Sequence, residues 1–553
     1  MDESILKGNL AALALRQPDL AADLAATRAP SHLRAARSTN GLLNVELIIA
    51  SRRPRLLHSR HDPLREAERI ADTLGPAATL VCYGSGAAWL PTMYLSRHRG
   101  ASALIVENGP EALRTTIEAV DIARELSDGR LYLTCSLEAV ETIVASIHHP
   151  TLRDRLVQHR LTGRDADSDA AAFFGRAASC VRAALAATAE DVATMRRFAR
   201  SWFVHTVANT RTVSWAAQAD RIRAVAGRFA GRRAVVLAAG PTLDDWFDAG
   251  VEKRGPIATV DTAYPAVRGR GIEPEMVVSI DPQGWTCMHL AGGVPRRTTL
   301  AADLGVSPLV FASADSAIAI AGRHPLHQLL SLRGFPVATL ATAARTVTEA
   351  ALLTARGLGA QDIELVGADG AFPRGATYAK ATYHHRFSAR HATRMRPQEH
   401  FFAERVYPSA EPIQAEPDRG GGSGRGRNAP TFSIPAMRKT RERLSELVSS
   451  YAEIPPLTVA GGTTATVRTV GDVRRFWSEH SDHIGRAIQE LSDDGERSTP
   501  EILQRVGPDG QAHLPLLAAL PRGGREALHR EPQQRFIAVL ETVRAFLFKE
   551  INR

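Results

Sequence analysis

Short apolar runs that end in glycine and give way at once to an amphipathic helical pattern recur along this chain. This repeat constrains the fold more than any other feature. "ATLVCYGSGAAWLPTMYLSRH" reads as strand, Gly turn and helix; "ASALIVENGPEALRTTIEAVD" repeats the pattern, and "GRLYLTCSLEAVETIVASI" repeats it again. A second series follows in "RRAVVLAAGPTLDDW", "GPIATVDTAYPAVRGRGIEPEMVVSIDPQ", "SPLVFASADS" and "FPVATLATAARTVTEAALLTARGLGAQDIELVGADGAF". Strands joined through helices pair in parallel, because a parallel neighbour needs a crossover. The predicted fold is therefore α/β, with two Rossmann-like parallel-sheet bodies joined by helices and a C-terminal helical subdomain. A length of 553 residues fits two to four domains.

The pattern divides the chain as follows. Residues 1–150 hold an N-terminal β-rich opening and the first Rossmann-like body; up to about residue 45 the spacing is helical, and "NVELIIASRRPRLLHS" reads as a strand pair. Residues 151–232 read as a helical connector and 233–410 as the central catalytic domain. The stretch 411–430 is a Gly/Arg-rich loop without apolar periodicity, and 431–553 is a C-terminal helical domain.

A hydrophobic fraction of 44% with 23% charged residues suits a soluble globular protein. No apolar run approaches the roughly 18 residues that span a bilayer. The start "MDESILKGNL" has acidic residues and no apolar h-region. The expectation is a cytoplasmic protein with no membrane partner. Cys82, Cys135, Cys180 and Cys287 have no zinc spacing and suggest free thiols. The net charge of +9 comes almost entirely from arginine, with lysine at only five positions. No basic block or RNA-binding aromatic motif accompanies it, so no nucleic-acid partner is expected.

Two regions could hold a nucleotide. In the first, Gly84 and Gly86 form a strand-to-helix turn and Glu107 ends the next strand. That is how an α/β unit holds phosphate and ribose, although the glycines serve a purely structural turn equally well. In the second, Gly240, Pro241 and Thr242 open a helix whose first turn carries Asp244 and Asp245, while Asp261, Asp281 and Asp369 each stand at a strand end. Ligands of open parallel sheets sit at the carboxyl ends of strands, so these residues can surround one crevice. The acids would orient ribose or base hydroxyls, or bind a divalent cation such as Mg²⁺, the one cofactor they raise.

The loop after Asp369 supplies positive charge and rings. Lys380, Arg386 and Arg390 suit a diphosphate or a carboxylate, and Tyr378 and Tyr383 can stack or donate hydrogen bonds. His384 or His385 can act as general base. Glu399 is placed to pair with Arg396 or Arg390. Neither GxxxxGKS/T, HExxH nor GxSxG occurs.

"AAGPTLD", "GIEPEMVVSIDPQ" and "VGADGAFPRGATYAKATY" resemble, in order and spacing, the central domain of the motility-associated factor flagellin glycosyltransferases. That domain is shared more distantly with hydroxymethyl-dihydropterin pyrophosphokinases. The family's Gly-Pro-Ser-Leu turn stands here as Gly240-Pro241-Thr242-Leu243. Gly271, Ile272, Pro274 and Asp281 match a second motif, with Glu275 where Asp is usual. The resemblance covers about residues 200 to 405. It also reaches "VCYGSGAAWLPTMYL", which is similar to the degenerate Rossmann-like domain preceding the core in that family.

The resemblance implies a transferase that moves a nonulosonic acid, such as pseudaminic or legionaminic acid, from a CMP-activated donor to Ser or Thr of flagellin. Gly240, Pro241 and Thr242 would line the phosphate. Asp261 and Asp281, with Gln283 beside it, would hold the nucleotide. Asp369 with Tyr378 and Lys380 would border the sugar. From their own chemistry rather than the resemblance, Tyr383 and Arg386 join the substrate residues, and His384 and His385 join Asp369 in the catalytic set, because the acceptor hydroxyl must lose a proton. Two alternatives stay open: an ATP- and Mg²⁺-dependent pyrophosphokinase acting on a hydroxymethyl-pterin, and a non-catalytic flagellin-binding protein.

Overall fold

Thr79–Tyr83 and Ser102–Val106 are buried at every residue, as strands covered on both faces must be. The computed structural model describes residues 3–28, 32–49, 53–149, 155–250, 255–322, 324–342, 344–373, 376–406, 411–413, 431–459, 467–492, 497, 499–519 and 532–551. The chain forms two compact units, one of Met1–Ala199 with His480–Arg553 and the other of Arg200–Glu479.

In the first unit β1 (Leu33–Arg37), β2 (Leu43–Leu47) and β3 (Arg55–Leu56) make a small antiparallel sheet. β1 lies in a stretch whose Ala and Arg content reads as helical. Pairing with β2, with Leu33 opposite Leu47, overrides that local preference. The main sheet has the order β6-β5-β4-β7, all parallel, from β4 (Thr79–Tyr83), β5 (Ser102–Val106), β6 (Leu131–Thr134) and β7 (Leu156–Arg160). Alternate residues serve opposite faces: Leu80, Cys82, Ala103 and Ile105 pack with Leu113 and Ile117, whereas Val81, Tyr83, Leu104 and Val106 pack with Val140, Val144 and Phe174. β7 falls in the expected helical connector; "LVQHR" carries little strand pattern of its own and is a strand because β4 supplies its partner.

A helix of 45 residues, Ser168–Thr212, follows. By length and composition it is apolar enough to cross a membrane, contrary to the expectation that no such run exists.

The second unit is built on an eight-stranded sheet of order β14-β8-β9-β10-β11-β12-β13-β18. Its members are β8 (Arg233–Leu237), β9 (Ile257–Val260), β10 (Met276–Ser279), β11 (Thr299–Asp303), β12 (Ala317–Ala321), β13 (Ala338–Thr339), β14 (Asp362–Val366) and β18 (Thr458–Val459). All pairings are parallel except that of β18 with β13. The order reverses between β8 and β14, which makes the carboxyl ends of these two strands the switch point. A small antiparallel sheet joins β15 (Phe372–Pro373), β17 (Thr431–Ser433) and β16 (Glu411–Ile413), so the expected 411–430 loop begins as a strand; its remaining residues lie outside the described ones.

The units do not follow the linear boundaries read from the sequence. Within 431–479, β18 extends the central sheet, and the Arg356 guanidinium donates to the carbonyls of Ile454 (3.1 Å) and Ala452 (2.7 Å). Residues 480–553 belong to the first unit, where the buried His480 pairs with Asp509 at 2.6 Å.

In the second unit, Thr206 and Asp303 flank the buried ring of His327, at 2.9 and 3.4 Å, and the tilted ring of His324 lies beside it with centroids 4.9 Å apart. Burial, and then His327, push His324 down to about 3. The unfolded chain therefore takes up a proton below about pH 6.5 that the native state refuses, and stability falls with pH by about 1.4 kcal/mol per unit. His324 also accepts the Leu326 N–H as a helix cap, which Asn can replace. Denaturant titrations are expected to show about 2 kcal/mol lost between pH 6.5 and 5 on this account, and His324→Asn is expected to remove that loss. An unchanged pH slope in the variant would show that His324 is not its source.

Candidate active site

The carboxyl ends of β14, β8, β9 and β10 bring the sequence-predicted acids to one edge of the sheet. At the switch point, Gly240 donates its N–H to the Gly367 carbonyl at 2.8 Å. The Asp369 carboxylate accepts the Thr242 N–H at 3.2 Å and the Thr242 hydroxyl at 2.5 Å. The amide offered by the sequence to a phosphate is thus already taken by an internal carboxylate. Burial holds the Asp369 carboxyl above its usual range, reinforced by Asp245 and opposed by Thr242 and Arg441. Pro241 is the buried cap residue of the short helix Thr242–Asp248.

The loop after Asp369 is anchored to this end of the sheet. Ala379 donates to the Ala239 carbonyl at 2.9 Å, and the Lys380 N–H donates to both Asp244 oxygens, at 3.1 and 3.0 Å. Thr382 caps the helix Tyr383–His391, accepting the His385 N–H. Tyr378 stacks on His384, with centroids 4.5 Å apart. The Arg386 guanidinium lies against Gly269, in the helix that follows Asp261. Burial pushes His385 below its usual range, with Asp244 opposing and Lys380 and Arg386 adding to the shift. Arg396 pairs with Glu404 at 2.7 Å, and no pair of Arg396 with Glu399 occurs among the described residues.

One strand over, Asp261 is buried and accepts from Ser279 (2.6 Å), the Thr262 N–H (2.6 Å) and the Thr262 hydroxyl (3.0 Å). Asp281 accepts the Gln283 N–H and side-chain amide, both at 2.9 Å. Residues missed by the sequence reading complete this side. The turn Gly284–Leu290 carries Trp285 and His289; His289 is 6% exposed, and its ring lies 5.2 Å from His384, 5.6 Å from Tyr383 and 6.2 Å from Trp285. Trp285 itself is 5.0 Å from His384 and 41% exposed. A histidine soon after a strand-end acid was the available signal. The turn has no periodicity to draw attention to it.

The donor set for a cation is not assembled here. Asp261, Asp281 and Asp369 are each held by their own protein donors, and no group of three or more His, Cys, Asp or Glu side chains suited to a metal occurs among the described residues.

The N-terminal candidate is filled by the protein's own side chains. Glu107 accepts the Ser85 N–H (2.8 Å) and hydroxyl (2.9 Å) and pairs at 3.1 Å with Arg164, which is fully buried. His58 accepts the Ala87 N–H at 2.9 Å, and a Cβ on Gly86 would lie 2.3 Å from that same His58 nitrogen. Acid and turn amide, the two groups a nucleotide would need, already have internal partners.

Against this geometry stand the comparisons with known proteins. Residues 205–375 match the family model described as 6-hydroxymethylpterin diphosphokinase MptE-like. The segment holds β8 to β14 and all three strand-end acids. Over its whole length the chain shares the fold of the MAf glycosyltransferase from Magnetospirillum magneticum AMB-1, with a TM-score of 0.58, 14% sequence identity and coverage of 100% of this chain and 97% of that one. No curated protein matches.

A Cβ on Gly240 would lie 2.1 Å from Asp369 Oδ2 and 2.5 Å from the Gly367 carbonyl, so even one methyl group must part β8 from β14. Gly240→Ala is expected to lower stability by about 1–3 kcal/mol in denaturant titrations. Gly284→Ala, whose Cβ would meet nothing within 4 Å, is expected to stay within about 0.5 kcal/mol of wild type. Equal stability of the two variants would contradict the pinned switch point.

Proposed function

We propose that this chain is a cytoplasmic glycosyltransferase that moves a nonulosonic acid from a CMP-activated donor to Ser or Thr of flagellin, with the crevice of the second unit as its active site. The observation that carries the reading is the extent of the structural likeness. It runs through both units, and a small-molecule diphosphokinase has no evident need for the N-terminal body.

In this reading Gly240, Pro241 and Thr242 form the floor under the nucleotide, and Asp281 with Gln283 holds the ribose. Because Asp369 occupies the Thr242 amide, the donor's phosphate and carboxylate fall to Lys380 and Arg386. Tyr378, Tyr383 and Trp285 give the sugar an aromatic wall.

The diphosphokinase reading has one observation in its favour, the family model over 205–375. It would need ATP and Mg²⁺, and among the described residues no group of three or more His, Cys, Asp or Glu side chains suited to a metal supports it. Calorimetric titration separates the two. CMP is expected to bind, ATP and 6-hydroxymethylpterin are not, and Asp281→Ala is expected to weaken CMP by about tenfold or more, the value of a charge-assisted hydrogen bond. Mg²⁺-dependent ATP binding without CMP binding would reverse the assignment.

A further inference from the structure

We propose that His289 is the residue that takes the proton from the acceptor hydroxyl, an inference that rests on the glycosyltransferase reading of the crevice. Three observations single it out. Its ring is buried, and Nδ1 is enclosed with no hydrogen-bond partner among the described residues. A buried polar atom left unsatisfied is costly, and such an atom close to two strand-end acids points to use. The ring also lies within electrostatic reach of both strand-end acids, Asp261 and Asp281, whereas His385 lies among Asp244, Lys380 and Arg386. Finally, its ring neighbours are Trp285, Tyr383 and His384, the aromatic wall proposed for the sugar.

The surroundings suit a base. Burial pushes His289 below its usual range while Asp261 and Asp281 oppose that shift, so the imidazole is neutral near pH 7 and able to accept a proton. From the helix Tyr264–Gly269, Tyr264 and Arg268 face the same turn, and Arg268 is held by the carbonyls of Gly292 and Gly293 at 3.3 and 2.9 Å. The helix Pro308–Ala312 packs on the turn without a titratable side chain. Tyr383 and His384 face it too.

In the step itself the acceptor O–H bond breaks and the proton goes to His289. The oxygen's electron pair forms the new bond to the anomeric carbon. The bond from that carbon to the phosphate oxygen of CMP breaks, leaving its electrons on the phosphate. The imidazolium that results lies within electrostatic reach of Asp261 and Asp281, which Ser279, Thr262 and Gln283 hold in place before the charge arrives.

The test uses the full-length protein, flagellin, and CMP-pseudaminic and CMP-legionaminic acid as donors, with calorimetric CMP binding and single-turnover transfer measured from pH 5 to 9. His289→Gln is expected to keep CMP affinity within about threefold, to lose transfer by about 100-fold or more, beyond the loss in His384→Gln, and to lose the acidic limb of the rate profile. Asp261→Asn is expected to move that limb to lower pH, since it removes a charge that holds His289 up; this variant carries the test if His289→Gln does not fold. Transfer by His289→Gln within threefold of wild type, or an unmoved acidic limb in either variant, overturns the role of His289 alone. A wild-type protein that neither binds CMP nor transfers either sugar overturns the glycosyltransferase reading beneath it.

Discussion

The contact on which the candidate site depends is the one between Asp369 and Thr242. It ties the end of β14 to the helix after β8, at the point where the strand order reverses and an open parallel sheet would otherwise gape. The carboxylate takes the place that an anion would occupy at the helix start, and it does so from 127 residues away. With that position closed, the open part of the edge shifts toward β9 and β10. There His289, within electrostatic reach of Asp261 and Asp281, meets the rings of Trp285, Tyr383 and His384.

The fold was largely legible because its strands are fully buried and leave no ambiguity of period: "LVCYG", "ALIVE" and "AVVLA" can be little else between helices. The strand-end acids were legible for the same reason, since a polar residue closing an apolar run marks the edge of the sheet. What escaped were features settled by distant partners. β7 is a strand only through β4, β1 only through β2, and the last residues of the chain belong to the first unit and not to a domain of their own. The partnership of Asp369 with Thr242 escaped for the same reason, since 127 residues separate them.

The first unit gives the complementary case. Its Gly84-Ser85-Gly86 turn and Glu107 have the sequence form of a nucleotide site, yet Arg164 and His58 occupy the space and the hydrogen bonds that a ligand would use. The two bodies therefore share a plan and differ in what fills the switch point. In the first a buried ion pair closes it. In the second a carboxylate closes one side and the neighbouring strand ends remain available.

The central claim is that the second unit transfers a sugar to a protein, and the most direct measurement is the intact mass of flagellin co-expressed with this chain in cells that make a CMP-activated nonulosonic acid. The account predicts that the flagellin gains the mass of one or more nonulosonic-acid residues, and that the gain disappears when this chain is omitted. A flagellin of unchanged mass, recovered in stable complex with this chain, would contradict it and make the protein a binder of flagellin.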